Sequence, residues 1–353
     1  NSNPDLLPFQ TDSVFCLSFQ IRSEGINMSD ELMHPVGDDS AWSESYYFNF
    51  VDPKSKVGMF TRMGFRPGNG WADGLHVIYL PGKRVLFTYG RREIKSDLSR
   101  YNGDLRAGNL ELRCIEPHQH WQINYDGPAQ DIADAAILLE RSKSRPQGWF
   151  TPANLRMQLS FDCLTEPHYA ARGDHGHFEQ SGKVTGTISI DDEEWQVDGF
   201  GVRDKSWGPR DWGAGNRESM PKSESTKGPA PFVNWFSMNF GDYAALGGSC
   251  FRSSDGVMRG EGWIQRGGTS GKLKDVVIET DYAADSILHK TVRFCAQTED
   301  GETIEMSGEV LSVCPTKIPM PGGATFVNEG LAEFRWGERT GYGIAEHWHA
   351  VNL

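Results

Sequence analysis

The stretch Gly199-Phe200-Gly201-Val202-Arg203-Asp204-Lys205-Ser206-Trp207-Gly208-Pro209-Arg210-Asp211-Trp212 places a carboxyl where acid chemistry could begin. Read as a strand it alternates with period two, so Phe200, Val202 and Asp204 share one face, and Gly201, Arg203 and Lys205 the other. An ionised carboxylate on an apolar face loses water without gaining a partner, so its pKa rises unless an arginine neutralises it. Asp204 is therefore either a general acid or half of a structural pair with Arg203 or Arg210. Asp211 repeats the Arg-Asp pattern at a turn, which suits a cap or Asx-turn better than chemistry.

Two further carboxyls sit among rings. On a strand through residues 42–50, Trp42, Glu44, Tyr46, Phe48 and Phe50 share one face. Glu44 is there either a neutralised acid or a salt-bridge partner at the strand start, for instance to Arg62. Near the C-terminus Tyr342, Ile344, Glu346 and Trp348 form a similar face, with the same two readings of its carboxyl. Alkene hydration, tertiary-alcohol dehydration and allylic isomerisation all need a carboxyl kept neutral by burial and a surface that tolerates a carbocation. Aromatic faces supply the second, at ~1–2 kcal/mol each when desolvated. The expected catalytic residues are Asp204, Glu44 and Glu346. Tyr46, Phe48, Trp207, Trp235, Tyr342 and Trp348 are the expected substrate-binding rings; the competing reading of such rings is plain core.

Six of the ten histidines fall in His-x-His pairs: His118/His120, His175/His177 and His347/His349. On a strand, positions i and i+2 point the same way, the geometry of a two-histidine metal site that Glu116 or Glu346 could complete. The first two pairs lie near apparent turns, and the default for all three is surface or hydrogen-bonded histidine. Neither a metal nor another cofactor is expected. The chain has no Gly-x-x-x-x-Gly-Lys-Ser/Thr loop and no Gly-x-Ser-x-Gly elbow, and it offers no βαβ unit for a dinucleotide turn.

The elements that must position these residues are strands. Forty glycines and 18 prolines punctuate short runs rich in Val, Ile, Phe, Tyr, Trp and Thr, as at 85–89, 157–161 and 291–297. Helix-like spacing is confined to 128–141 and, more weakly, 98–106. An antiparallel all-β chain of barrels or sandwiches is expected. The strand count exceeds one small barrel, and the polar, Gly-rich stretch 171–177 reads as a connector. Two domains, 1–175 and 176–353, follow. Residues 213–231 hold almost no apolar side chains and read as a mobile loop, either a lid or a surface insertion.

With 353 residues, 11 Trp and 19 Phe, the chain has material for two cores and for apolar pockets. A net charge of −13 argues against nucleic acid or an anionic membrane surface as main partner; the partner that carboxyls set among rings would suit is a small apolar molecule. No run approaches the ~20 apolar residues of a membrane span, and the first residues lack signal-peptide character. Six scattered cysteines without a Cys-x-x-Cys suit reduced thiols and a cytoplasmic location. The sequon Asn27-Met28-Ser29 is too short a pattern to outweigh this.

The segment from Gly201 to Trp212 resembles the signature of a two-domain lipocalin-like family related to the carotenoid 1,2-hydratases, also called hydroxyneurosporene synthases. Residues 42–48, 178–182, 328–330 and 341–346 match other blocks, so the resemblance spans nearly the whole chain. It implies two packed lipocalin-like β-barrels, a largely apolar cavity, and cofactor-independent acid chemistry on an isoprenoid double bond or tertiary alcohol. Asp204 fits the position of the proposed acid, while Val202 stands where that family has a Tyr. Similar proteins include polyene cyclases and proteins without known chemistry, so the resemblance leaves three functions open: hydratase, dehydratase or isomerase; cyclase; and non-catalytic carrier of an apolar ligand.

Overall fold

The computed structural model describes residues 28–210, 231–253 and 255–352. Eleven strands build the first half: β1 (Trp42–Val51), β2 (Gly58–Arg66), β3 (Trp71–Tyr79), β4 (Val85–Glu93), β5 (Leu105–Ala107), β6 (Leu110–Glu116), β7 (His120–Ile132), β8 (Thr151–Cys163), β9 (His168–Ala171), β10 (Gly176–Ile190) and β11 (Glu193–Pro209). The second half holds β12 (Val233–Asn239), β13 (Ala244–Arg252), β14 (Met258–Arg266), β15 (Thr269–Tyr282), β16 (His289–Thr298), β17 (Thr303–Met320), β18 (Gly323–Trp336) and β19 (Arg339–Asn352). Among the described residues the chain is all-β.

Period-two burial drives both halves. In β8, Ala153, Leu155, Met157, Leu159 and Phe161 are buried, and the residues between them are exposed or half-buried. In the first half the order β4-β3-β2-β1-β11-β10-β8-β7 closes into a ring where β4 pairs with β7, through Val85 opposite Ile132 and Phe87 opposite Gln130. In the second half β12 to β19 pair in sequence, and β19 returns to β12 to close a barrel. The molecule is thus two antiparallel β-barrels, as the sequence pattern and the resemblance both lead one to expect.

Two expectations change. The helix-like run at 128–141 instead continues β7 to Ile132, then makes one 3-10 turn, Ala135–Leu139, capped by Asp134 accepting the Ala136 N–H at 2.9 Å. The run at 98–106 likewise shortens to a 3-10 turn, Leu98–Tyr101. A division at 175/176 would strip β10 and β11 from the first sheet, whose ring they complete between β8 and β1. The strand pairing moves the division to the connection between Pro209 and Val233. The loop expected at 213–231 falls, up to residue 230, outside the described residues, as do Asp211 and Trp212.

The first barrel encloses two cations. Arg203 and Lys205 are fully buried on the inward face of β11. Arg203 donates to Glu31 at 3.1 and 2.5 Å and lies against the rings of Trp121 and Phe178. Lys205 donates to Glu44, which also accepts from the His34 backbone at 3.1 Å and lies 2.8 Å from His34 Nδ1. Burial alone would raise both carboxyls; their cationic partners outweigh it and hold Glu31 and Glu44 below the usual range. His34 also stacks on Trp207, with ring centroids 3.9 Å apart.

These pairs hold the first barrel together, and their loss is measurable. Glu44→Gln leaves Lys205 buried against a neutral amide, and a loss of ~3–5 kcal/mol in chemical denaturation is expected. Because both carboxyls titrate below their unfolded value of ~4.3, their contribution is complete above that pH and disappears as acid carries them through their folded pKa. An unfolding free energy unchanged by Glu44→Gln, and flat from pH 6 to pH 3, would contradict this assignment.

Candidate functional site

The outward face of β11 looks at the second barrel, and cross-strand register decides what stands beside Asp204. Tyr47 of β1 is opposite Asp204, and Arg62 of β2 is opposite Tyr47. On the other side Glu179 of β10 is opposite Asp204, and His168 of β9 is opposite Glu179. One polar row therefore crosses five neighbouring strands: Arg62, Tyr47, Asp204, Glu179, His168. The second barrel presents a matching row, in which Glu346 of β19 stands between Glu329 of β18 and Trp235 of β12.

The two rows meet. Tyr47 Oη donates to Glu329 Oε2 at 2.9 Å, and Tyr79 Oη donates to the Glu329 carbonyl at 2.6 Å. Glu179 accepts the indole N–H of Trp235 on Oε1 and of Trp263 on Oε2, each at 2.6 Å. Asn49 ties the seam, accepting the Val202 N–H at 3.0 Å and donating to Ser237 Oγ at 3.1 Å. Apolar packing by Val51, Phe60, Val202, Leu331 and Ile344 surrounds these contacts. Gly201 is required here, because a Cβ would lie 1.7 Å from the Asn49 carbonyl oxygen.

His177 bridges the acids of the first row. Its Nε2 lies 2.9 Å from Glu179 and its Nδ1 3.7 Å from Asp204. Burial alone would lower His177; Asp204 and Glu179 on either side raise it instead. Asp204 itself is raised, first by burial and then by Glu179, against the pull of His177, Arg210 and Arg62. Its side chain keeps 18% of its surface exposed, yet Oδ1 is buried and accepts no hydrogen bond. Across the seam Glu329 is raised well above the carboxylate range by burial and by Glu346, to which it is hydrogen-bonded. Glu346 is raised by burial and by Asp204, although its bonds to Glu329 and the Trp348 indole and the charge of Arg210 oppose this. Glu329 and Glu346 form one coupled carboxyl pair that keeps a proton to higher pH. The seam thus combines a half-buried acid, a proton-sharing carboxyl pair and buried aromatic rings.

Residues 27–351 match the family described as "Domain of unknown function (DUF7064)". The chain belongs to that family. No curated protein matches this DUF7064 chain in sequence. Among solved structures it is similar to a candidate AttH from Nitrosomonas europaea, at 14% identity and a TM-score of 0.55, over 89% of this chain and 94% of that one. It is also similar to kievitone hydratase from Nectria haematococca, at 9% identity and a TM-score of 0.50, over 92% of each chain. At such identities the likeness is one of fold: two lipocalin-like barrels in tandem.

Of the residues expected from sequence, the seam brings together Asp204, Glu346, Trp235 and Trp348. Glu44, Tyr46, Phe48 and Trp207 lie instead inside the first barrel, because the face they share points away from the second. Glu44 is committed to Lys205 and His34 there, not to Arg62, which pairs with Asp73 at 3.4 Å. Arg203 cannot pair with Asp204, since the pleat sends them to opposite faces. Tyr342 shares the outward face of β19 but donates to Glu333 at 2.8 Å and packs under Lys56. Glu179, Glu329, Tyr47 and His177 were missed as site residues. The sequence carried a signal for Glu329, a carboxyl flanked by Val327 and Leu331 on its strand face.

The histidine pairs divide. His118 and His120 lie 3.0 and 2.6 Å from Glu31 and Asp162, and His347 faces the interior of the second barrel. Among the described residues no three His, Cys, Asp or Glu side chains converge as metal ligands. None of the helices there is long and apolar enough to cross a membrane.

A carboxyl raised on folding binds protons that the unfolded chain releases, so stability falls as pH rises from the unfolded toward the folded pKa. Glu329→Gln keeps an acceptor for Tyr47 and a donor for Glu346 while removing that ionisation. Melting temperature should therefore rise relative to wild type at pH 8 and change little near pH 4.5. A variant destabilised at both values would refute the neutral carboxyl.

Proposed function

We propose that this protein is a cofactor-independent acid–base enzyme acting between its two barrels on a branched, terpenoid-like alkene or alkenol, as hydratase, dehydratase or allylic isomerase. The observation that carries this reading is Asp204, a carboxyl raised toward its neutral form, partly accessible, with Oδ1 unengaged, facing a proton-sharing pair.

In the hydration direction the Asp204 carboxyl gives its proton to the less substituted alkene carbon. The π electrons form the new C–H bond, leaving a tertiary cation on the neighbouring carbon. His177 and Arg210 match the carboxylate left behind. The rings of Tyr47 and Trp235, whose centroids are 5.3 Å apart, flank the seam and favour the cation by ~1–2 kcal/mol each when desolvated. Water adds to the cation, and the Glu329–Glu346 pair takes the proton that the oxonium loses. Dehydration is the same path reversed, and isomerisation loses a proton from a different carbon.

Two further points support the reading. Kievitone hydratase is by its name a hydratase, so this fold is compatible with such chemistry, although fold does not assign it. Where the resembling carotenoid 1,2-hydratases have a Tyr two residues before the acid, this chain has Val202. Tyr47 offers a phenol on the adjacent strand, opposite the acid.

The test is isotopic. Linalool, geraniol and 2-methyl-3-buten-2-ol are incubated with the protein in D2O containing 18O-water. Wild type should place deuterium on carbon and 18O in the alcohol, with a rate that falls as pH rises through the Asp204 pKa. Asp204→Asn should retain binding and lose ~10²–10⁴-fold in rate. Full turnover per folded molecule in Asp204→Asn would remove Asp204 from the mechanism.

A further inference from the structure

A groove in the second half of the chain lies away from the seam. A cavity of about 900 Å³ runs along β16, β17 and the 3-10 turn Ala135–Leu139, and none of Asp204, Glu179, Glu329 or Glu346 lines it. It opens where β16 and β17 part. Their pairing ends at Thr291 opposite Glu309, and beyond it β17 carries a bulge between Val310 and Ser312. Bulges of this kind re-aim side chains beside binding sites.

Two polar side chains in the groove lining are buried without a partner for one atom. His289 is 2% exposed; its Nε2 lies 2.8 Å from the Ala345 carbonyl, which can only accept. Nε2 therefore carries the proton, and Nδ1 is left as a bare acceptor with no hydrogen bond. Burial keeps the ring neutral, lowering its pKa to about 4. Ser312 is 5% exposed, and its hydroxyl also finds no partner. Leaving such groups unpaired is costly, and a ligand that engages them recovers the cost.

The charges lining the groove are largely matched to one another. Lys83 pairs with Asp134 at 3.6 Å, Arg293 with Asp281 at 3.2 Å and Arg335 with Glu333 at 2.6 Å. Between them lie Ala136, Leu288, Val310 and Leu311. We infer that the groove is a second binding site, separate from the seam, for an uncharged apolar molecule bearing a hydroxyl. The hydroxyl donates to His289 Nδ1 and accepts from Ser312, and the hydrocarbon body covers the apolar floor. Its volume lies within the ~300–1,000 Å³ range of small-molecule sites.

The probes are 2-naphthol, 2-methoxynaphthalene and 2-naphthoate, titrated calorimetrically at neutral pH into the full chain with 15N-labelled histidine. Naphthol should bind and shift the His289 ring nitrogens. The methyl ether, which cannot donate, and the carboxylate should each bind about tenfold more weakly or worse, the order of one hydrogen bond. Ala284→Trp, at the exposed rim, should abolish binding. Ser312→Ala should weaken it several-fold without lowering the melting temperature, since it deletes an unsatisfied group. Equal affinity for naphthol and its ether, no binding of naphthol, or binding indifferent to both substitutions would overturn the site. Asp204→Asn should bind naphthol normally; loss there would place the probe in the seam and also overturn the inference.

Discussion

Arg203, Asp204 and Lys205 are consecutive residues of one strand, so the pleat sends the two cations one way and the carboxyl the other. Inside the first barrel the cations are fully buried, and Glu31 and Glu44 must meet them. Outside, Asp204 is left on a face that the second barrel covers, with its neighbouring cations turned away. The stability of one barrel and the acidity of the seam are therefore set by the same three residues. Moving the register of β11 by one position would exchange them, placing a carboxyl among the rings of the first core and two cations between the barrels.

The seam tolerates several carboxyls because they do not all ionise together. Glu329 and Glu346 are cross-strand neighbours, and like charges at that separation favour a state in which one proton is shared. Glu179 is handled differently: two indole N–H groups and His177 surround it with donors. The result is a contrast of environments within one interface. Glu179 has its oxygens bonded by donors, whereas Glu329 and Glu346, facing each other, keep a proton to higher pH. Such a contrast separates acid from base roles in a single site.

Much of the fold was legible in the sequence, because half-buried strands alternate, as β8 does along its length. The face shared by Glu44, Tyr46, Phe48 and Phe50 was read correctly as one face. Whether it looked into a barrel or between barrels was not legible. Both sides of β1 are buried, so no polar side marks the outside. Partners such as Tyr47 and Glu329 stand 282 residues apart, and only the closure of both barrels brings them together. The stretch at 171–177 read as a linker because it is polar and rich in glycine. Its middle, residues 172–175, joins β9 to β10, and those properties serve a turn between strands as well as a connector between domains. The Ala- and Leu-containing run after Pro128 has helical spacing, but strand pairing claims its first half.

The central claim is that the seam holds carboxyls protonated at pH values where the carboxyls inside the first barrel are charged. Carbon-13 NMR of side-chain carboxyls, titrated from pH 3 to pH 9 and assigned by single Gln or Asn replacements, tests it directly. The account predicts that Asp204 and the Glu329–Glu346 pair titrate above the ordinary carboxylate value of ~4, and that Glu31 and Glu44 titrate below it. If Asp204, Glu329 and Glu346 all ionise at or below that value, the seam holds no acid ready to donate, and the account is contradicted.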